Sequence, residues 1–135
     1  MAGHPSRIAS EQGLRFARPL FLVAAIFNYG IAAALLLLPD TLAAIGIPRP
    51  GHPLFLHLCA LLIAGLGLAY HLVSRDPTRN HGIVVIGAIG KLAVFALLAG
   101  HVMAGSIPFP PLMLGAGDLV FAVLFIWFLL PRREA

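Results

Sequence analysis

Residues 83–103 read IVVIGAIGKLAVFALLAGHVM. The run is apolar throughout apart from Lys91 and His101, and a bilayer-spanning helix needs about 20 such residues. Three further runs have the same character: Leu20 to Leu38, Leu54 to Val73 and Leu112 to Leu130. Each is bounded by helix punctuation. Pro19 and Pro39 flank the first, Pro53 and Ser74-Arg75-Asp76-Pro77 the second, and Pro110-Pro111 and Pro131 the fourth. Proline suits a helix start and ends helices elsewhere. Leu, Ile, Ala and Gly dominate, without the alternation of a membrane β-barrel. The sequence therefore predicts an all-α membrane protein, a bundle of four transmembrane helices over residues 20–38, 54–73, 83–103 and 112–130.

Composition agrees. Of 135 residues, 60% are hydrophobic and 10% charged, with mean hydropathy +0.97. A soluble domain is about a quarter charged. The net charge of +4 is no nucleic-acid signal, because the basic residues sit at the ends of apolar runs, where the partner is the lipid bilayer. Cys59 is the one cysteine and cannot pair within the chain, so it reads as a small packing residue. The first apolar run is longer than a signal core of roughly 7–15 residues, and Ala43-Ala44-Ile45-Gly46 is a poor cleavage site, so this helix is expected to be retained.

Orientation follows from Lys and Arg in the connecting segments. Arg7, Arg15, Arg18, Arg75, Arg79, Arg132 and Arg133 fall on one side, and Arg49 alone on the other. Both termini are expected in the cytoplasm. Residues 1–18 form a mobile cytoplasmic segment, 19–131 a single transmembrane domain, and 132–135 a cytoplasmic tail. In the outer loop, Asp40 is expected to cap a short helix that dips Leu42 and Ile45 into the interface and ends at Gly46. Small residues mark packing faces at Gly65, Gly67, Ala69, Gly87, Gly90, Gly115 and Gly117.

An ionisable residue inside the membrane is costly and is a functional-site hypothesis by default. Lys91 and Asp118 qualify, beside the polar Asn28. At about 1.5 Å per residue, Asn28 and Lys91 lie roughly 2–3 Å to the cytoplasmic side of the midplane. Asp118 lies roughly 4–5 Å to the outer side, and His57 roughly 10 Å outward. The four residues form a candidate polar track, with the mid-membrane Tyr29 needing a partner for its hydroxyl. The roughly 7 Å offset between Lys91 and Asp118 disfavours a direct salt bridge and makes Asn28 the better match for Lys91. The pair reads either as a register-fixing structural pair or as a site for an anionic or quinone-like head group. Tyr70 and Trp127 read as aromatic-belt residues at the headgroups.

His57 and His71 lie about 21 Å apart along one helix, near one face. This resembles the ligand spacing of di-haem b-type cytochromes, with His81 and His101 as the partners. The latter pair spans about 30 Å and does not match, which leaves interfacial histidines as the preferred reading. No Walker loop, dinucleotide fingerprint, zinc spacing or Gly-x-Ser-x-Gly is present.

Leu37-Leu38-Pro39-Asp40, Arg75-Asp76-Pro77, Gly90-Lys91-Leu92 and Gly117-Asp118-Leu119-Val120-Phe121 resemble small four-helix bacterial inner-membrane proteins of the broad DoxX-like type. The resemblance implies a bacterial inner membrane and a quinone- or redox-related accessory role, and it carries over no catalytic residue. The leading expectation is a non-enzymatic accessory or scaffolding subunit, alone as a homo-oligomer or with a membrane-complex partner. The alternatives are a binder or carrier of a small lipophilic or anionic ligand, and a quinone- or haem-linked redox subunit. No cofactor is required by any motif.

Overall fold

The computed structural model describes residues 11–130, which form five helices. These are α1 (Glu11–Leu37), α2 (Pro39–Ala44), α3 (Pro53–Arg75), α4 (His81–Met103) and α5 (Pro110–Leu129). All but α2 are long and apolar enough to cross a membrane. The chain is a polytopic membrane protein, and the exposed Leu, Ile and Val side chains on its outer faces meet lipid.

The helix starts follow the expected chemistry in part. His52 caps α3 by accepting from the Leu54 N–H at 3.1 Å, with Pro53 at the first helical position. Prolines also open α2 and α5. Asp40 is not a cap. It lies inside the first turn of α2 and pairs with Arg49, because Pro39 already sets the helical start. Gly46 closes the loop at φ 103°, and a side chain there would collide with Pro108 of the α4–α5 loop. The 38–53 loop is thereby seated against the opposite loop.

Two differences concern α1. Its helix begins by Glu11, and Pro19 lies within it, so residues 11–18 are helical rather than a mobile segment. Pro19 removes one backbone bond. The loss is tolerated because Ala17, Leu20 and Phe21 on either side are buried in the core. The mobility of residues 1–10 and the tail at 132–135 lie outside the described residues.

The four long helices pack as two pairs. α1 lies along α3, and α4 along α5, while α3 touches α4, and α1 touches α5, over short stretches. The short 76–80 turn therefore does not make α3 and α4 close neighbours throughout. At that end the pairs are knit by a core of Phe21, Tyr70, Val73, Val84, Phe125 and Phe128 with small alanines between them. Toward the other end the packing is thinner: Ala32, Leu35 and Ala60 join α1 to α3, with Leu42 of α2 against them. Glycines mediate some approaches and not others. Gly67 meets Tyr29, Gly87 meets Tyr70 and Phe125, and Gly115 meets Leu98 and Phe95, but Gly65 and Gly90 face open space. Cys59 is exposed on α3 rather than packed.

The α3–α4 turn is held by side chains. Asp76 accepts from the Thr78 hydroxyl at 2.9 Å and the Arg79 N–H at 3.2 Å. Asn80 donates to the Leu72 and Asp76 carbonyls that end α3. The Thr78 hydroxyl, then the Arg79 N–H, holds the Asp76 carboxyl below its ordinary 3.8. A lowered folded-state value means a contribution present above 3.8 and lost as pH falls through the lowered value. The melting-temperature gap between wild type and Asp76→Ala in detergent should be constant from neutral pH to about pH 5 and shrink below 3.8.

Gly87→Leu should cost about 1–3 kcal/mol by overpacking, since its Cβ would lie 2.7 Å from the Tyr70 ring. Gly90→Leu, pointing into space, should stay within about 0.5 kcal/mol of wild type. Reversible unfolding in mixed micelles reads both.

Candidate ligand-binding site

Between the aromatic core and the thin end of the bundle lies a cavity of about 370 Å³. Its walls are Ile31, Leu35, Ile63, Leu66, Ile86, Val94, Leu98 and Leu114, and its polar floor is Asn28, Tyr70, Lys91 and Asp118. Such a volume lies at the small end of ligand pockets, which are mostly apolar with a few placed polar groups.

Lys91 of α4 donates to Asp118 Oδ1 of α5 at 2.6 Å and to Asn28 Oδ1 of α1 at 3.2 Å. Asn28 in turn donates from Nδ2 to the Ile63 carbonyl of α3 at 3.3 Å. One chain of hydrogen bonds thus touches all four membrane helices. The Lys91 side chain is 5% exposed and that of Asp118 18%, so Asp118 presents a wetter edge to the cavity. Three rings surround the ammonium: Phe121 at 5.1 Å, Phe27 at 5.3 Å and Tyr70 at 5.4 Å to their centroids. Each ring face adds attraction for the cation.

The direct Lys91–Asp118 contact corrects the expected 7 Å misfit. α4 starts at His81 and α5 at Pro110, both earlier than the apolar runs suggest. Recentring the helices cuts the offset to about 4 Å at 1.5 Å per residue, within reach of the flexible lysine stem. Lys91 therefore takes both partners rather than choosing Asn28.

The remaining candidates part company with this cluster. Tyr29 packs its ring across Gly67 on the α1–α3 seam and is exposed to lipid. His57 lines a separate recess with Pro39, Leu42, Arg49 and Pro53 at the 38–53 loop, so the polar track does not run continuously to it. The His71 carbonyl accepts from the Ser74 hydroxyl at 2.6 Å, and His71 is not among the residues that line the cavity. His101 pairs with Ser106 at 2.7 Å, and His81 is exposed at the start of α4. Trp127 is half-exposed, edge-on to Phe16 at 4.8 Å.

Tyr70 is the clearest omission from the sequence reading. Instead of sitting at a headgroup level it is 1% exposed in the core. Its hydroxyl lies against Gly87, and the residue lines the cavity. Phe121 could have been found from Asp118, since residues three apart share a helix face. Phe27 adjoins Asn28. Nothing in the local sequence marks Tyr70. No family model, curated protein or solved structure matches the chain.

Chemically, the site offers a donor from Lys91, an acceptor at Asp118 and a hydroxyl at Tyr70 that can do either. Removing only one charge strands the other. Lys91→Met should cost about 3–5 kcal/mol, whereas Lys91→Met with Asp118→Leu should fold within about 1 kcal/mol of wild type. Unfolding of the two variants in bicelles distinguishes these outcomes.

Proposed function

We propose that this protein is a binding or carrier protein of the bacterial inner membrane, with both termini cytoplasmic. It holds a small amphipathic molecule with its head group against Lys91, Asp118 and Tyr70. The observation that carries this reading is the cavity of about 370 Å³, apolar among its described lining residues except for Asn28, Tyr70, Lys91 and Asp118. A purely structural ion pair needs no adjoining space, and filling the space with side chains would be more stable. The membrane side follows from the Lys/Arg asymmetry, and the bacterial setting from the DoxX-like motifs.

The scaffolding reading keeps one observation in its favour. The hydrogen-bond chain through Ile63, Asn28, Lys91 and Asp118 links every membrane helix and would serve as a clamp without any ligand. A quinone head group suits the donors and ring faces of the site and is the redox form of the binding proposal. The histidines give no comparable support to haem, as they lie outside the cavity.

Native mass spectrometry of protein released from a mild detergent tests the binding reading. A discrete added mass is expected on wild type and absent from the Lys91→Met, Asp118→Leu variant. Identical bare peaks from both would return the protein to the scaffolding class.

A further inference from the structure

The proposed site leaves two matters open, namely how a ligand reaches mid-membrane and what head group it carries. Both are answered by the way α3 and α4 separate. The two helices touch where Tyr70 meets Gly87. One turn further toward the outer end, Gly90 faces nothing within 4 Å. Opposite it, Leu66 is 41% exposed, and Ile86 on the rim is 65% exposed, yet both line the cavity. A residue that lines a cavity and also faces lipid marks an opening in its wall. At the axial end the lining residues are better covered, since Pro111 is buried and Ile47 partly buried, and the 38–53 loop is seated on Pro108 through Gly46.

The head group is constrained by charge. Lys91 and Asp118 neutralise one another at 2.6 Å, near the midpoints of α4 and α5. A charged head would bring a third, uncompensated charge into low dielectric, which costs several kcal/mol per ion even after relaxation. A neutral head that accepts from Lys91 or Tyr70 and donates to Asp118 leaves the balance intact and adds hydrogen bonds worth more in that environment.

We infer that the α3–α4 gap is a lateral portal. Through it a membrane-dissolved, electrically neutral amphipath with a hydroxyl-type head enters from the lipid and docks on Lys91, Asp118 and Tyr70. This inference rests on the binding reading above, and its test separates the two.

The protein is reconstituted in phosphatidylcholine vesicles with a long-chain alcohol bearing a photoactivatable diazirine. Matched probes carry a trimethylammonium or a sulfonate head. Labelled residues are mapped by peptide mass spectrometry, with the lipid-facing Val123 as background. The alcohol is expected to label Leu98 and Leu114, and the charged probes to do so at least about tenfold less. Gly90→Trp and, separately, Ile86→Trp should reduce cavity labelling to background, whereas Ile47→Trp should not. Both portal positions point away from packed neighbours, so failure of both variants to fold would contradict the open gap itself. Labelling that survives tryptophan at 90 and 86 but is lost with Ile47→Trp would mean axial entry, overturning the portal while leaving the site. Equal labelling by a charged probe would overturn the neutral head. Wild-type labelling confined to lipid-facing residues would overturn the binding reading and the portal with it.

Discussion

The bundle depends on a lysine placed where a lysine is least welcome. A charged side chain at the centre of a membrane helix costs about 2.5–3.5 kcal/mol on insertion scales, and this fold has two, Lys91 and Asp118. The cost is offset by bringing them together at 2.6 Å and extending the contact through Asn28 to the Ile63 carbonyl. Interhelical hydrogen bonds in membranes contribute about 0.6 to 2 kcal/mol each, so no single link dominates. What the chain supplies is register: α1, α3, α4 and α5 must all be at the right height for it to close. The rings of Phe27, Tyr70 and Phe121 complete the ammonium's surroundings, replacing water with attractive π faces.

The same constraint accounts for the cavity. At the end where α3 turns into α4, aromatic residues from three helices fill the centre, and Gly87 lets Tyr70 approach α4 closely. Beyond the polar cluster the residues facing inward are aliphatic and too few to fill the space between the two helix pairs. The ion pair holds the pairs in place across that space, so it is not closed by collapse. The split between α3 and α4 is the visible result. Had Gly90 been matched by a side chain on α3 as Gly87 is by Tyr70, there would be neither a gap nor an obvious route from the lipid.

Much of this was legible in the residues. Run lengths and proline positions locate four spans to within a turn at most ends, because hydrocarbon thickness leaves little choice. Lys91, Asp118 and Asn28 stand out by polarity alone. Three things were not legible. Helix ends extend past the apolar runs when a polar or proline residue can still take helical geometry, as at His81, Pro110 and Glu11 to Arg18, and this misplaced the Lys91–Asp118 offset. Side-chain direction also decides membership of a site. Tyr29 and His57 have suitable depth but face the α1–α3 seam and the 38–53 loop, while Tyr70 looks like a belt residue and turns inward. Finally, which small residues meet a partner depends on the whole bundle, so Gly87 and Gly90 read alike in the sequence and behave oppositely in the fold.

The buried contact between Lys91 and Asp118 can be measured directly. Lys91 is the chain's single lysine, so a ¹⁵Nζ-lysine label in lipid bilayers gives one solid-state NMR signal. Dipolar recoupling to ¹³Cγ-labelled aspartate is expected to place Nζ and one carboxyl carbon in contact, at about 4 Å or less, with a signal shielded from bulk-water exchange. An Nζ signal that exchanges freely with water and couples to no aspartate would contradict the account at its base.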